Sequence, residues 1–160
     1  MFLKDCWYMA AWAAELDEGK LIGRTLLEEP VLLYRGESGA AVVLDNRCCH
    51  RGALLSNGRR EGDCVRCLYH GLKFDATGRC VQIPGQDMIP ATACVRAYPV
   101  VEKHSWIWVW MGDPAKADER LIPPAVGLQD PAWTLRSGRL DYEANYLLIN
   151  DNLTDFTHLS

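Results

Sequence analysis

The chain has 160 residues, enough for one full domain or for one domain and a piece of another, and its 49% apolar content is ample for a packed core. A net charge of −4 without a basic patch speaks against a nucleic-acid-binding role, and no run of about eighteen apolar residues is present to form a transmembrane helix. The N-terminus, MFLKDCWYMA, carries an acid at position 5 and no apolar h-region, so a secretory signal is not expected.

Taken in order, residues 6–16 are apolar and aromatic and read as a segment buried against a core. Gly19 to Gly23 reads as a loop, and Leu26 to Pro30 as a stretch ending in a turn. Val31 to Arg35 reads as a strand, Gly36 to Gly39 as a hairpin turn, and Ala40 to Leu44 as the returning strand. Turns are expected at Ser56-Asn57-Gly58 and Glu61-Gly62-Asp63, with a short strand at Cys64 to Cys67. Alternating residues follow at Leu72 to Asp75 and Cys80 to Ile83, around a turn at Thr77-Gly78. Val95 to Val101 and Trp106 to Trp110 read as a second hairpin with His104 at its tip, the latter strand with one face in the core. Short strands with turns every eight to twelve residues describe an all-β, sandwich-like domain of antiparallel sheets. Ala115 to Pro124 is charged, then bears prolines, and reads as a connector, with a domain boundary near residue 118. Arg139 to Tyr142 reads as a strand and Asn145 to Ser160 as a helix. There is no internal repeat, no P-loop and no G-x-G-x-x-G, so a nucleotide cofactor is not indicated.

The chemistry concentrates between residues 48 and 70. Cys48-x-His50 is followed, after 16 residues, by Cys67-x-x-His70. Two thiols and two imidazoles in two tight pairs make a metal site, either a closed Cys2His2 zinc site or a two-iron cluster with two ligands for each iron. The C-x-H spacing is unusual for zinc and favours the cluster. Gly52 and Gly71 follow the two pairs and let the backbone approach a metal closely. Of seven cysteines, five (Cys6, Cys49, Cys64, Cys80, Cys94) are spare. Spare thiols in that number suit a reducing cytoplasm, where they pack as small apolar residues.

C-x-H-R-G and C-x-Y-H-G at this separation resemble the Rieske signature. Many Rieske oxygenases carry Pro after each ligand Cys; Cys49 and Leu68 stand there, at positions that bind no metal. Ala53 and Tyr69 stand in the loops, so the disulfide of cytochrome bc-type Rieske proteins cannot form, which favours the oxygenase or ferredoxin type. Near the end, Asp151, Asp155 and His158 would share one face of the expected helix. N-L-x-D-x-x-H there resembles the start of the mononuclear-iron motif of Rieske non-haem iron oxygenase large subunits. With Trp7-Tyr8 and A-N-Y-L-L-x-x-D-N-L-x-D, the chain is similar to the vanillate and dicamba O-demethylase branch. The resemblance implies Cys48, His50, Cys67 and His70 as [2Fe–2S] ligands, Asp155 as the acid linking the cluster to a neighbouring subunit's iron, and His158 as the first ligand of a mononuclear Fe(II). The remaining iron ligands of that pattern lie beyond Ser160, so the chain alone is expected to hold the cluster only. It also implies residues 1–118 as a Rieske domain, residues 119–160 as a linker and the first strand and helix of an α+β catalytic domain, and a homotrimer. Its implied reaction uses O2 and electrons from a reductase or ferredoxin to hydroxylate or O-demethylate an aromatic acid. A stand-alone Rieske ferredoxin and a structural zinc module are the competing readings.

Overall fold

Ten strands in three antiparallel sheets form among the residues described in this computed structural model, which are 2–16, 19–128, 130–134, 136, 138 and 140–159, with side chains excepted at 158 and 159. They are β1 (Cys6–Trp12), β2 (Ile22–Leu26), β3 (Glu29–Arg35), β4 (Ala41–Asp45), β5 (Arg59–Glu61), β6 (Cys64–Arg66), β7 (Lys73–Phe74), β8 (Cys80–Gln82), β9 (Val100–Lys103) and β10 (Trp106–Met111). The sheet orders are β1-β10-β9, β2-β3-β4 and β5-β6-β7-β8. They belong to one compact unit, Met1–Ala125; residues Val126–Ser160 form a second.

Strands β3 and β4 are buried on both faces, because they carry apolar residues at every position of their centres. Leu32, Tyr34, Val42 and Leu44 turn to one core, which also holds Cys48, Cys67, Val65 and Phe74. Val31, Leu33 and Val43 turn to the other, with Ile107, Val109 and Met111 of β10. Alternation along the strand thus feeds two cores, one of them under the metal-binding loops.

Several expectations change. The stretch read as a loop at Gly19 to Gly23 runs into β2, whose partner β3 begins at Glu29. The turn between them is Leu27-Glu28, both at positive φ (51° and 66°), a conformation that sequence reading assigns to Asn or Gly. His104 and Ser105 form the same kind of turn (φ 58° and 65°), which confines the second hairpin to Val100–Lys103 and Trp106–Met111. The β10 strand is buried on both faces rather than one. Trp110 packs edge-on against Trp7 at 5.4 Å, and Trp106 lies 5.4 Å from Trp12. The expected strand at 139–142 is irregular over residues 140–142, and Arg139 lies outside the described residues.

In the second unit the helix is α1 (Tyr146–Thr154), capped by the Asn145 side chain on the Leu147 N–H at 3.0 Å. It stops short of the expected Ser160. The Asp155 carboxylate accepts from the backbone N–H of Thr157 at 2.9 Å and from its hydroxyl at 2.6 Å, and a separate 3-10 turn, Phe156–Leu159, follows. This local bonding competes with helix continuation. Asp151, Asp155 and His158 therefore do not share one helical face.

Candidate metal centre

The two Cys-His stretches fold into loops with one backbone frame. In the first, the Cys48 N–H donates to the Ala53 carbonyl (2.9 Å) and the Gly52 N–H to the Cys48 carbonyl (2.9 Å). In the second, the Cys67 N–H donates to the Leu72 carbonyl (2.8 Å) and the Gly71 N–H to the Cys67 carbonyl (3.2 Å). Each frame closes on a glycine four residues after the cysteine, at φ +65° for Gly52 and +76° for Gly71, where a side chain is strained. Cys48 and Cys67 occupy the same place in the two frames. The histidines do not, since His50 is two residues on and His70 three.

Folding re-sorts the ligands. The sequence joins each thiol to an imidazole, whereas the structure brings thiol to thiol and imidazole to imidazole. Cys48 and Cys67 are each 3% exposed and in hydrogen-bonding contact. The His50 and His70 rings lie 4.6 Å apart, exposed at the loop tips. Among the described residues, no three His, Cys, Asp or Glu side chains gather to hold a single ion. A pair of sulfurs inside and a pair of nitrogens outside is the donor set that a [2Fe–2S] cluster with differently ligated irons takes. Burial pushes the Cys48 thiol up, with Cys67 beside it adding to the shift, so metal binding must displace a proton there. Tyr69 stacks on the His70 ring at 3.9 Å.

Different groups support each loop, and the sequence reading singled out none of them. Asn46, 4% exposed, precedes the first loop. Its side chain donates to the Ser56 hydroxyl (3.0 Å) and accepts from the Ser56 N–H (2.7 Å), tying the loop entry to the 3-10 turn Leu55–Asn57. Arg66 precedes the second loop and donates to the Gly71 carbonyl at 2.7 Å. Glu61 accepts from Arg66 at 2.7 and 2.8 Å and from Arg59 at 2.8 Å. The bonds from Arg66, followed by that from Arg59, hold the Glu61 carboxyl down at about 2. A signal for this pair exists once the β5–β6 hairpin is recognised. Arg59 and Arg66 stand directly opposite in register, a like-charge pair that needs a nearby acid.

The sites expected near the C-terminus stand in the second unit. Asp155 is exposed and ends α1. Thr157 draws its carboxyl below the usual range. The His158 side chain lies outside the described residues.

Comparison with known proteins agrees with this geometry. The chain is 56% identical over 160 residues to the iron-sulfur subunit of the toluene-4-sulfonate monooxygenase system of Comamonas testosteroni, covering 100% of this chain and 46% of that protein. It is 44% identical over 158 residues to the oxygenase component of dicamba O-demethylase from Stenotrophomonas maltophilia, covering 98% and 46%. The chain thus spans about half the length of these curated relatives. A crystal structure of dicamba monooxygenase bound to 3,6-dichlorosalicylic acid superposes with a TM-score of 0.93 at 42% identity, covering 98% of this chain and 46% of that one. The Rieske [2Fe-2S] domain family matches residues 6–99, and the chain belongs to that family.

Proposed function

We propose that this chain is the cluster-bearing part of the oxygenase component of a Rieske non-haem iron monooxygenase. In this reading Cys48 and Cys67 hold one iron and His50 and His70 the other. The observation that carries it is the pairing of the two buried thiols apart from the two exposed imidazoles. When bound, such a cluster accepts and passes on single electrons at roughly −150 to +300 mV, above the roughly −400 mV of plant-type all-Cys clusters. The residues around it have separable tasks. Cys48 and Cys67 sit in the core with Leu32, Val65 and Phe74, which keep water from the sulfurs. His50 and His70 present the nitrogen side to the surface, where an electron donor or acceptor can approach.

Residues 1–118 are assigned to the Rieske domain and 119–160 to a linker and the start of a catalytic domain. There Asp155 would connect the cluster to a mononuclear iron in a neighbouring subunit, and His158 would be that iron's first ligand. The partners would be a reductase or ferredoxin, O2 and an aromatic acid, in a cytoplasmic homotrimer; five spare cysteines besides the two ligands are compatible with that compartment. Toluene-4-sulfonate, in one relative's name, is an aromatic acid whose alkyl carbon is a methyl group, and O-demethylation, in the other's, removes a methyl from oxygen. In this reading the carbon oxidised is a methyl or methoxy carbon on an aromatic acid.

Iron, zinc and sulfide analysis of the purified chain, with EPR of its reduced state, tests the cluster. Two irons and two sulfides per chain with a rhombic signal are expected, and one zinc in a colourless protein would overturn the reading. In a full-length relative, replacing the aspartate equivalent to Asp155 by Asn should leave cluster and substrate binding intact and abolish turnover. Normal coupled turnover would remove the bridging role.

A further inference from the structure

Arg66 is the last residue of β6 and stands directly before the ligand Cys67. Its side chain is 14% exposed, and each of its three nitrogens donates a hydrogen bond. One nitrogen reaches across the ligand loop to the carbonyl of Gly71, the residue after His70, at 2.7 Å. The others hold both oxygens of Glu61 and the Gln82 side-chain carbonyl at 2.8 Å. The entry and exit of the second loop are thereby tied by one side chain. Gly71 leaves no room for a side chain, since a Cβ there would come to 2.9 Å from Pro84.

The charges around this fork do not cancel. Glu61 accepts from Arg66 and Arg59 and lies 3.4 Å from the Lys73 ammonium. Three cations share one carboxylate, which leaves positive charge in excess beside the second loop. A cluster that gains one electron becomes more negative, and a fixed positive charge nearby favours that state.

We infer that Arg66 is a positioning residue for the cluster: its fork holds the second ligand loop closed on His70, and its charge raises the cluster's reduction potential. The inference rests on the ligand assignment above. Fork and charge are separable by substitution. Arg66→Lys keeps the charge and loses the two-sided grip, and Arg66→Met loses both. Glu61→Gln leaves the bond to Gly71 and removes the one negative charge.

The test uses the cluster-loaded 160-residue chain, with spectroelectrochemical potentials and the rate of bleaching by an iron chelator as readouts. Both Arg66 variants should lose the cluster faster, by about 10- to 100-fold, the usual cost of removing a group that orients a metal ligand. The potential should fall in Arg66→Met, stay near wild type in Arg66→Lys and rise in Glu61→Gln. A merely structural role would not produce that order. Wild-type bleaching rates and potentials in both Arg66 variants would overturn the inference and leave the ligand assignment standing. A wild-type chain that loads no [2Fe–2S] cluster would overturn the ligand assignment itself. Should Arg66→Met fail to fold, Arg66→Lys and Glu61→Gln still decide, because an unchanged potential in Glu61→Gln refutes the charge and an unchanged bleaching rate in Arg66→Lys refutes the grip.

Discussion

The two ligand loops share a backbone frame and differ in what holds it. Cys48 and Cys67 make the same pair of backbone bonds, and Gly52 and Gly71 close the same turn. The first loop leans on a neutral pair, buried Asn46 and half-buried Ser56. The second leans on an ion network around Glu61 and Arg66. A frame of short backbone bonds is indifferent to the chemistry outside it. It needs a partner that locks the loop entry, and a buried amide and a charged fork both serve. The difference predicts that the loops respond differently to substitution, volume and pH.

The largest effect should come from the feature the loops share. Replacing Cys48 or Cys67 by Ala removes a sulfur from the same buried pair, so both variants should lose the visible spectrum completely. A retained cluster in either would break the equivalence. Next comes the buried amide. Asn46→Ala leaves the Ser56 N–H and hydroxyl without their partner inside the protein, and should cost about 1–3 kcal/mol in denaturant unfolding. The two glycines sharpen the contrast further. Gly52→Ala meets no atom within 4 Å and should cost only its left-handed backbone strain, about 1–2 kcal/mol. Gly71→Ala carries the same strain and also drives its Cβ to 2.9 Å from Pro84, so it should be the worse of the two. Equal losses would mean that Pro84 yields freely.

The smallest effect is a pH dependence confined to the second loop. The folded-state carboxyl of Glu61 lies below its ordinary value of 4.5, at about 2. A lowered value means that its contribution is complete above about 4.5 and disappears as the pH falls toward 2. Chelator bleaching of the wild type should therefore accelerate more steeply over that interval than bleaching of Glu61→Gln, in which only protonation of the ligands and sulfides remains. The Asn46–Ser56 pair carries no titrating group and gives the first loop no such dependence.

Much of this molecule is legible in its sequence. Val31 to Arg35 and Ala40 to Leu44 flank a turn whose glycines announce it, and a hairpin with Gly39 at φ +87° stands there. The turn at Leu27-Glu28 is hidden in the sequence because residues without turn preference occupy left-handed positions, imposed by the pairing of the flanking strands, whereas the turn at His104-Ser105 stands where the hairpin tip is expected and only the extent of its strands differs. Trp106 to Trp110 reads as half-buried because composition does not show what flanks its second face, where Trp110 and Trp106 pack against their cross-strand partners Trp7 and Trp12 of β1. Asp155 looked helical because spacing assumes an unbroken helix, and one carboxylate bonded to Thr157 ends it.

By itself the sequence determined the donor types, their number and the glycines that let two loops turn tightly, because metal preference and backbone freedom are properties of single residues. Only the tertiary structure decided that the cysteines pair inside and the histidines outside. It alone brought Arg66 to Gly71 and Asn46 to Ser56. Those contacts follow from the register of β5 with β6 and from the course of the chain out of β4, and register is a property of paired strands that no single stretch contains.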